Sequence, residues 1–298
     1  MLRGLASIIS ACACAFSCGA SSAAAEEAVR TADAIRGRLE PSYLVAPLAI
    51  SGLDPVWYEA NVVAHFFVHR DAWRWALVLT PKIVVRLFRE YSEPVKTPSY
   101  MPRLTLFLWS EKQLAAAAGT SYFSVGLGHH SNGQAGPVFL PGGALNHETG
   151  DFTTNYVELA GHLLDRDRTW LGWSRLSVEW HPWFAQQQRL LGRYGSLFAE
   201  LEATIVERLP LDGRIGASVG MMLNASPRSS EGGLVRQLER FPVAVTYAVG
   251  WPDVELALFA RYYLGRDYYN IWFDRRLHVL QIGISSNISP TLGSQDSP

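Results

Sequence analysis

Two side chains that could do chemistry together, His129 and Ser131, stand two positions apart at the end of an alternating apolar segment. Successive side chains of a strand point to opposite faces, so residues two apart share one face. An imidazole beside a serine can accept the hydroxyl proton, which serine requires because its free hydroxyl is a poor nucleophile at neutral pH. The spacing therefore predicts a serine nucleophile with a histidine base.

A nucleophile and base also need a third group that fixes the imidazole tautomer, and Asn155 is the candidate. In the segment 153–159, alternation places Asn155 with Val157 and Leu159 on an apolar face. Asn155 is therefore expected to face the same medium as Ser131.

The other residues on this strand face indicate whether it meets water or lipid. Phe123, Val125 and Leu127 share the face with His129, and all three are apolar. If the chain is a barrel with a polar lumen, these side chains point to lipid, and the substrate would be a lipid. Polar groups on a lipid-facing wall are costly, which favours a functional role for them. A His-x-Ser pair also occurs by chance, so the spacing alone leaves a structural role open.

The elements that position these residues alternate with period 2 over about ten residues each and are separated by Pro, Gly, Asp and Asn clusters. The segments lie near 57–68, 73–80, 83–91, 102–110, 121–131, 153–163, 173–184, 197–207, 213–223, 236–248, 253–264 and 274–286. A soluble β-sandwich alternates too. Segment length, the even count and aromatics at the segment ends favour an all-β transmembrane antiparallel β-barrel of about twelve strands.

Composition narrows the class further. The 298 residues carry 26 Lys+Arg against 27 Asp+Glu, a net charge of -1, and no basic run, which argues against a dedicated nucleic-acid binder. Hydrophobic residues make up 48%, which excludes a disordered chain. Only 18% of residues are charged, below the roughly 25% usual for soluble proteins, which hints that some surface faces a medium other than water.

The first 25 residues have the features of a secretory signal peptide: Arg3, an apolar stretch, and small residues before an acidic pair. Cys12, Cys14 and Cys18 all precede the expected cut, so the mature chain would carry no disulfide; a lipid anchor at Cys18 is the alternative. No later apolar run reaches the ~18 residues of a membrane helix. We therefore expect export to the periplasm, the cell exterior or the outer membrane.

The predicted organisation has four parts. It comprises a signal peptide at 1–25, an N-terminal periplasmic segment at 26–50, a barrel at 51–287 and a polar tail at 288–298.

The string from His129 to Gly133 resembles the His-x-Ser-Asn-Gly signature of the outer-membrane phospholipase A family. Further similar stretches occur in the family's order and extend the resemblance over most of the chain from about Pro41. They are Ser92–Pro94, Ser99–Pro102, Leu176–Phe184 and Gly265–Leu280.

This resemblance implies a multi-pass outer-membrane barrel that hydrolyses phospholipid acyl esters, as phospholipase A1/A2 and lysophospholipase. It implies that Ser131 is the nucleophile, His129 the general base and Asn155 the residue that orients the imidazole. Phospholipid would be the substrate, and the barrel would be surrounded by outer-membrane lipid. A second copy of the chain, in a homodimer, would be a further partner.

The resemblance also implies calcium dependence. The oxyanion would meet the backbone N–H of Gly133 and a calcium-bound water. By position, the calcium ligands fall on the carbonyl of Gln134, the side chain of Asp151 and the carbonyl of Ser92 from a second subunit. An apparent insertion between 134 and 151 offers Glu148 as an alternative ligand.

The chain departs from the family pattern at several positions. Gln134 and Tyr156 stand where the family usually has arginines, and the segment 80–85 lacks the glutamine and tryptophan of the family's dimer contact. Two alternatives therefore stay open: a non-enzymatic barrel, such as a pore or structural protein that kept the fold, and a soluble secreted β-sandwich esterase.

Overall fold

The computed structural model describes residues 31–69, 74–91, 95–109, 120–164, 170–182, 184, 186, 188–190, 193–209, 213–223, 242–251 and 254–286. The predicted signal peptide and the predicted C-terminal tail lie outside these residues. A short helix spans 31–36, and 3₁₀ turns span Gln188–Leu190 and Asn270–Trp272. The strand segments are β1 (Ser42–Ser51), β2 (Val56–Val63), β3 (Phe66–Val68), β4 (Trp75–Thr80), β5 (Lys82–Phe88), β6 (Ser99–Tyr100), β7 (Arg103–Leu108), β8 (Thr120–Ser131), β9 (Thr153–Leu164), β10 (Trp170–Trp180), β11 (Leu197–Leu209), β12 (Gly213–Leu223), β13 (Val243–Trp251), β14 (Val254–Arg266) and β15 (Arg276–Ser286).

Within the described residues, these fifteen segments form twelve strands, because three strands are each interrupted once. The segments β2 and β3 form one strand, β4 and β5 a second, and β6 and β7 a third. Pro81 separates β4 from β5, and Pro102 lies between β6 and β7. Proline has no N–H to donate to a ladder, which accounts for two of the breaks.

The sheet is antiparallel and closes on itself. Each strand pairs with its sequence neighbours, and β1 pairs with β15, so that Ser42 and Ser286 are partners at one end. The structure thus confirms the predicted all-β class and the twelve-stranded antiparallel barrel. The barrel begins at Ser42 rather than at residue 51, because residues 42–51, assigned from sequence to a periplasmic segment, form a full strand.

Burial along the strands is inverted relative to a soluble protein. In β9 the exposed positions include Leu159 and Leu163, whereas Glu158 and His162 are buried in the interior. In the described part of the chain 34 large hydrophobic residues are exposed, ten of them aromatic, and most of them lie on the strands. An apolar exterior around a polar interior is the pattern of a β-barrel whose wall faces lipid.

The interior is filled at two levels. At one level, Ile35 of the N-terminal helix packs against Phe67, Phe107 and Trp109 on the inner wall. At the opposite end, a second cluster joins strand ends to the turn between β14 and β15 through Phe88, Phe152, Ile271 and Trp272, among other residues. No helix among the described residues is long and apolar enough to cross a membrane.

A buried ionic network holds the interior between these clusters. The Arg86 guanidinium donates to Glu59 at 2.7 Å and forms two hydrogen bonds, at 2.7 and 2.8 Å, with Asp267. All three side chains are at most 1% exposed. Buried ion pairs are stable only when further hydrogen bonds satisfy their carboxylates. Tyr268 and Gln281 donate such hydrogen bonds to Glu59.

Candidate active site

The centre of the candidate site is a hydrogen bond between His129 of β8 and Asn155 of β9. The two residues are cross-strand partners, and His129 Nδ1 lies 2.8 Å from Asn155 Oδ1. An amide oxygen can only accept, so Nδ1 carries the hydrogen and the Nε2 lone pair is left to act as a base. Asn155 therefore selects the imidazole tautomer in which Nε2 can act as a base.

Ser131 lies two residues beyond His129 on the same outer face and is partly accessible. Its partners in the ladder are Thr153 of β9 and Tyr100 of β6. Among the described residues, no hydrogen bond joins the Ser131 hydroxyl to His129. Catalytic hydrogen bonds of ligand-free enzymes are often long and tighten when substrate binds.

Gly128, the residue before His129 on β8, has no side chain, and the ring of Tyr156 occupies the space that a side chain would take. Its cross-strand partner is Tyr156, whose buried ring covers it from the lumen, and a Cβ at position 128 would lie 2.0 Å from the Tyr156 Cζ. Only glycine leaves room for an aromatic ring at that distance. The glycine before the histidine thus lets Tyr156 pack directly beneath the His129–Asn155 pair.

Asn132 acts as a structural anchor rather than a catalytic group. Its buried side chain donates to the Gly150 carbonyl at 2.7 Å and accepts from the N–H groups of Phe152, at 3.0 Å, and Gln134, at 3.2 Å. The Asn132 amide therefore binds both ends of the loop 134–151, next to the candidate site.

Gly133 follows in a left-handed conformation, with φ of +66°. This conformation favours glycine. The residue is exposed beside the ring of Tyr100, and no backbone hydrogen bond from its N–H is found within the described residues. That N–H is therefore available to donate a hydrogen bond to an oxyanion.

The loop 134–151 packs against the turn between β14 and β15. Val138 and Leu145 are buried in the cluster that holds Trp272, and the His147 ring stacks on Trp272 with centroids 4.6 Å apart. His147 Nε2 also lies 3.0 Å from the Asp274 carboxylate. The loop and the turn between β14 and β15 form one packed unit.

Lys96 fastens the same loop to the strand edge. Its ammonium donates to Glu90 and to Glu148, both at 2.9 Å. Burial lowers the pKa of Lys96, but the two carboxylates outweigh this effect and raise the pKa above its ordinary value. Glu148 is thus engaged by a cation, which argues against its use as a calcium ligand.

The positions expected to hold calcium are only partly brought together. Asn132 accepts from Gln134 and from Phe152, the residue after Asp151, so the carbonyl of Gln134 and the side chain of Asp151 belong to adjoining backbone segments. Both residues are partly accessible, and their oxygens are hard donors that suit calcium. Ser92 lies outside the described residues, which contain no cluster of three or more His, Cys, Asp or Glu side chains that could hold a metal.

An apolar cleft of about 480 Å³ adjoins the His129–Asn155 pair on the outer wall. Sequence reasoning did not find it, because its walls come from five strands that are distant in the chain. Cross-strand partners follow one another in a single row below the pair, and the row consists of Leu79, Leu104, Leu127, Val157 and Trp180.

A second hydrogen-bonded array lies behind the pair, on the lumen side. Thr154 Oγ1 lies 2.8 Å from Nδ1 of His181, and His181 Nε2 lies 2.6 Å from the Glu179 carboxylate. The sequence analysis did not assign His181 a role. Its position just after β10, two residues beyond Glu179 in the alternating segment 176–181, was the signal that could have suggested one. His130, whose side chain points to the opposite face of β8 from His129, is buried against Phe152.

Fold and site together define a closed β-barrel with a polar Ser, His and Asn cluster on its outer wall. A scan of protein-family models and a search of curated proteins both find no match. Among solved structures, the chain is similar to the outer membrane phospholipase A from Escherichia coli, with a TM-score of 0.55 and 14% identity over 83% of this chain and 90% of that one. It is also similar to the Salmonella typhi outer membrane phospholipase dimer with bound calcium, with a TM-score of 0.55 and 13% identity over the same shares. At this identity, the likeness shows the fold.

Proposed function

We propose that this chain is an outer-membrane phospholipase A, a calcium-dependent serine hydrolase of phospholipid acyl esters. The observation that carries the proposal is the His129–Asn155 hydrogen bond, which sets up a base on the lipid-facing wall beside Ser131. A polar cluster on an apolar outer wall costs free energy unless it is used. The similar solved structures, a phospholipase and a calcium-bound phospholipase dimer, support the same reading.

In the proposed mechanism, the Ser131 hydroxyl attacks the carbonyl carbon of the acyl ester while His129 Nε2 accepts its proton. Asn155 holds the protonated imidazole through Nδ1–H, and the Gly133 N–H donates to the oxyanion of the tetrahedral intermediate. As the carbon–oxygen ester bond breaks, His129 returns the proton to the departing glycerol oxygen. Water, deprotonated by His129, then attacks the acyl-serine ester and releases the fatty acid.

Calcium would be held by the Gln134 carbonyl and the Asp151 side chain, with Ser92 of a second copy as the third source, and would supply positive charge near the oxyanion. The Ser92 contribution makes a homodimer part of the proposal.

The proposal includes the cellular setting. Residues 1–25 would direct export and be removed, the strands would span the outer membrane, and residues 288–298 would form a polar tail. The apolar outer wall supports membrane placement rather than a soluble β-sandwich esterase.

A pore is the weaker alternative, because the described part of the barrel interior is packed with side chains. The N-terminal helix cluster fills one level and the aromatic cluster around Trp272 fills the opposite end. A non-enzymatic structural barrel remains the competing candidate.

Fatty-acid release from phospholipid by the refolded chain tests the proposal, with a heat-modifiable gel shift as proof of folding. We expect release that requires calcium and disappears in Ser131→Ala. Equal release by Ser131→Ala, or no release from a folded sample, would favour the structural barrel.

A further inference from the structure

A second cavity, of about 260 Å³, lies within the barrel and shares no lining residue with the outer cleft beside His129. We propose that this cavity binds a small zwitterionic solute, with the oxyanion of the solute at Arg261 and its ammonium at Glu200. Binding there does not depend on the proposed hydrolysis at Ser131. The polar side chains in its lining include Glu40, Lys82, Glu200, Arg261, Tyr263 and Tyr268.

Arg261 lies on the lumen face of β14. Phe259 and Tyr263, two positions away on either side, are buried inside the barrel, whereas Tyr262 is exposed on the outer face. Arg261 itself is partly accessible and lines the cavity, so a solute in the cavity can reach its guanidinium.

The Arg261 guanidinium has no hydrogen bond or ion pair among the described residues; its contacts are with two aromatic rings. Other cations of the lumen are paired, since Arg86 donates to Glu59 and Arg175 to Glu158. Glu59 is not available to Arg261, because its carboxylate already accepts four hydrogen bonds. Arg261 is therefore a cation whose N–H groups are left for a ligand.

The two rings hold the guanidinium in place. Its carbon lies 5.0 Å from the Tyr263 centroid and 5.5 Å from the Tyr268 centroid, within the range of cation–π contact. The rings meet edge to face, and the hydroxyl of Tyr268 is fixed by a 2.6 Å hydrogen bond to Glu59. A guanidinium fixed in this way can donate two parallel hydrogen bonds to a carboxylate or phosphate group.

Glu200 supplies the opposite charge on β11. Leu201 beside it is exposed on the outer face, so Glu200 points to the lumen, where its side chain is 43% exposed. Among the described residues its carboxylate accepts no hydrogen bond, and Arg175 Nη1 stays 3.8 Å away. Arg175 is shared with Glu202 at the same distance and bonded to Glu158. Glu200 therefore keeps lone pairs for an ammonium group.

The remaining charges of the cavity favour a ligand that carries both signs. Lys82 and Glu40 neutralise each other at 2.7 Å, which leaves one cation at Arg261 and one anion at Glu200. A simple anion or a simple cation would match one of them and leave the other unmatched.

The spacing of the two charges indicates the size of the ligand. Strands β11 and β14 are three strand spacings apart, about 14 Å along the wall at roughly 4.8 Å per strand. The side chains of Glu200 and Arg261 extend into the space between them, and the gap that they leave suits a solute of amino-acid size.

Isothermal titration calorimetry of the refolded chain in detergent, at constant ionic strength, tests the site. The probes are β-alanine and phosphoethanolamine, which join an ammonium to a carboxylate or to a phosphate. Propionate, inorganic phosphate and ethylamine each carry one of the two charges. We expect saturable binding of one zwitterion per barrel, and at least tenfold weaker binding of each singly charged probe.

Two variants separate the two ends of the ligand. Arg261→Met keeps an apolar stem, removes the cation and should weaken zwitterion binding at least tenfold. Glu200→Gln should weaken zwitterion binding to a similar extent while leaving the weak binding of propionate and phosphate unchanged. Arg276→Met, at an exposed arginine of β15, is the matched control and should bind as wild type does. A heat-modifiable gel shift confirms that each barrel has folded.

Binding of either zwitterion with these variant effects supports the site, and the probe that binds identifies the oxyanion. Absence of saturable binding to the folded wild-type chain, or equal affinities in wild type and Arg261→Met, would overturn it. Inorganic phosphate that binds as tightly as the zwitterions, with no effect of Glu200→Gln on any probe, would also overturn it in favour of a plain anion site. Each of these results leaves the hydrolase proposal untouched.

Discussion

The Thr154 hydroxyl lies 2.8 Å from His181 Nδ1 on the lumen side of the barrel wall. Asn155, the next residue, is hydrogen-bonded to His129 on the outer side. Strand β9 therefore carries two hydrogen-bonded arrays back to back. Glu179 accepts the Nε2–H of His181, so the Nδ1 of a neutral imidazole is the acceptor for the Thr154 hydroxyl. The inner array thus fixes the part of β9 that presents Asn155.

Thr154→Val should weaken the barrel, because it leaves His181 Nδ1 buried without a donor. We expect a loss of about 1–3 kcal/mol in the free energy of unfolding, measured by urea titration of the refolded chain. Thr154→Ser keeps the hydroxyl and is expected to retain most of that stability. If both variants unfold with the wild-type free energy, the inner array does not stabilise β9.

Asn155→Ala should reduce fatty-acid release by on the order of 10²-fold, since the imidazole loses the partner that selects its tautomer. The variant keeps Ser131 and His129, so residual activity above that of Ser131→Ala is expected. Initial rates at saturating phospholipid measure both. An Asn155→Ala rate equal to wild type would show that the hydrogen bond has no catalytic role.

Gly128→Ala should displace the Tyr156 ring, because the added Cβ would lie 2.0 Å from Tyr156 Cζ. Overpacking of this kind costs about 1–3 kcal/mol in the free energy of unfolding. Gly126→Ala is the matched control on the same strand and face, where the nearest atom would be at an ordinary 3.4 Å. Similar unfolding free energies for the two variants would argue against close Tyr156 packing.

Calcium removal by a chelator should abolish fatty-acid release, and Asp151→Ala should raise the calcium concentration needed for half-maximal release. Glu148→Gln serves as the control, because the Glu148 carboxylate already pairs with Lys96. We expect its calcium requirement to match wild type. If instead Glu148→Gln alone shifts the requirement, the metal is bound at Glu148 rather than at Asp151.

The strand count could be predicted from alternation, yet two of the underlying assignments were wrong. Residues 73–80 and 83–91 were taken as separate strands, whereas β4 and β5 form one strand interrupted at Pro81. Strand β1 was missed, because Pro47 interrupts its pattern and small residues such as Ala46 weaken its alternation. The two errors cancel in the total of twelve.

The local part of the site was accessible to sequence reasoning, and the long-range part was not. Alternation alone places His129 and Ser131 on one face, and it places Asn155 on a face of the same character. The register that makes His129 and Asn155 direct partners depends on how the loop 134–151 closes, which Asn132 and its hydrogen bonds decide. The apolar cleft beside this pair needs the register of five strands, so no single segment predicts it.

The most direct test of the central claim is mass-spectrometric detection of an acyl group on Ser131. The refolded chain is mixed with a palmitoyl phospholipid and calcium, quenched in acid during turnover and digested. We predict palmitoyl mass on the peptide that contains Ser131 in the wild-type chain, and none in His129→Ala or Ser131→Ala. Fatty-acid release by a wild-type chain whose Ser131 never carries an acyl group would contradict the proposed mechanism.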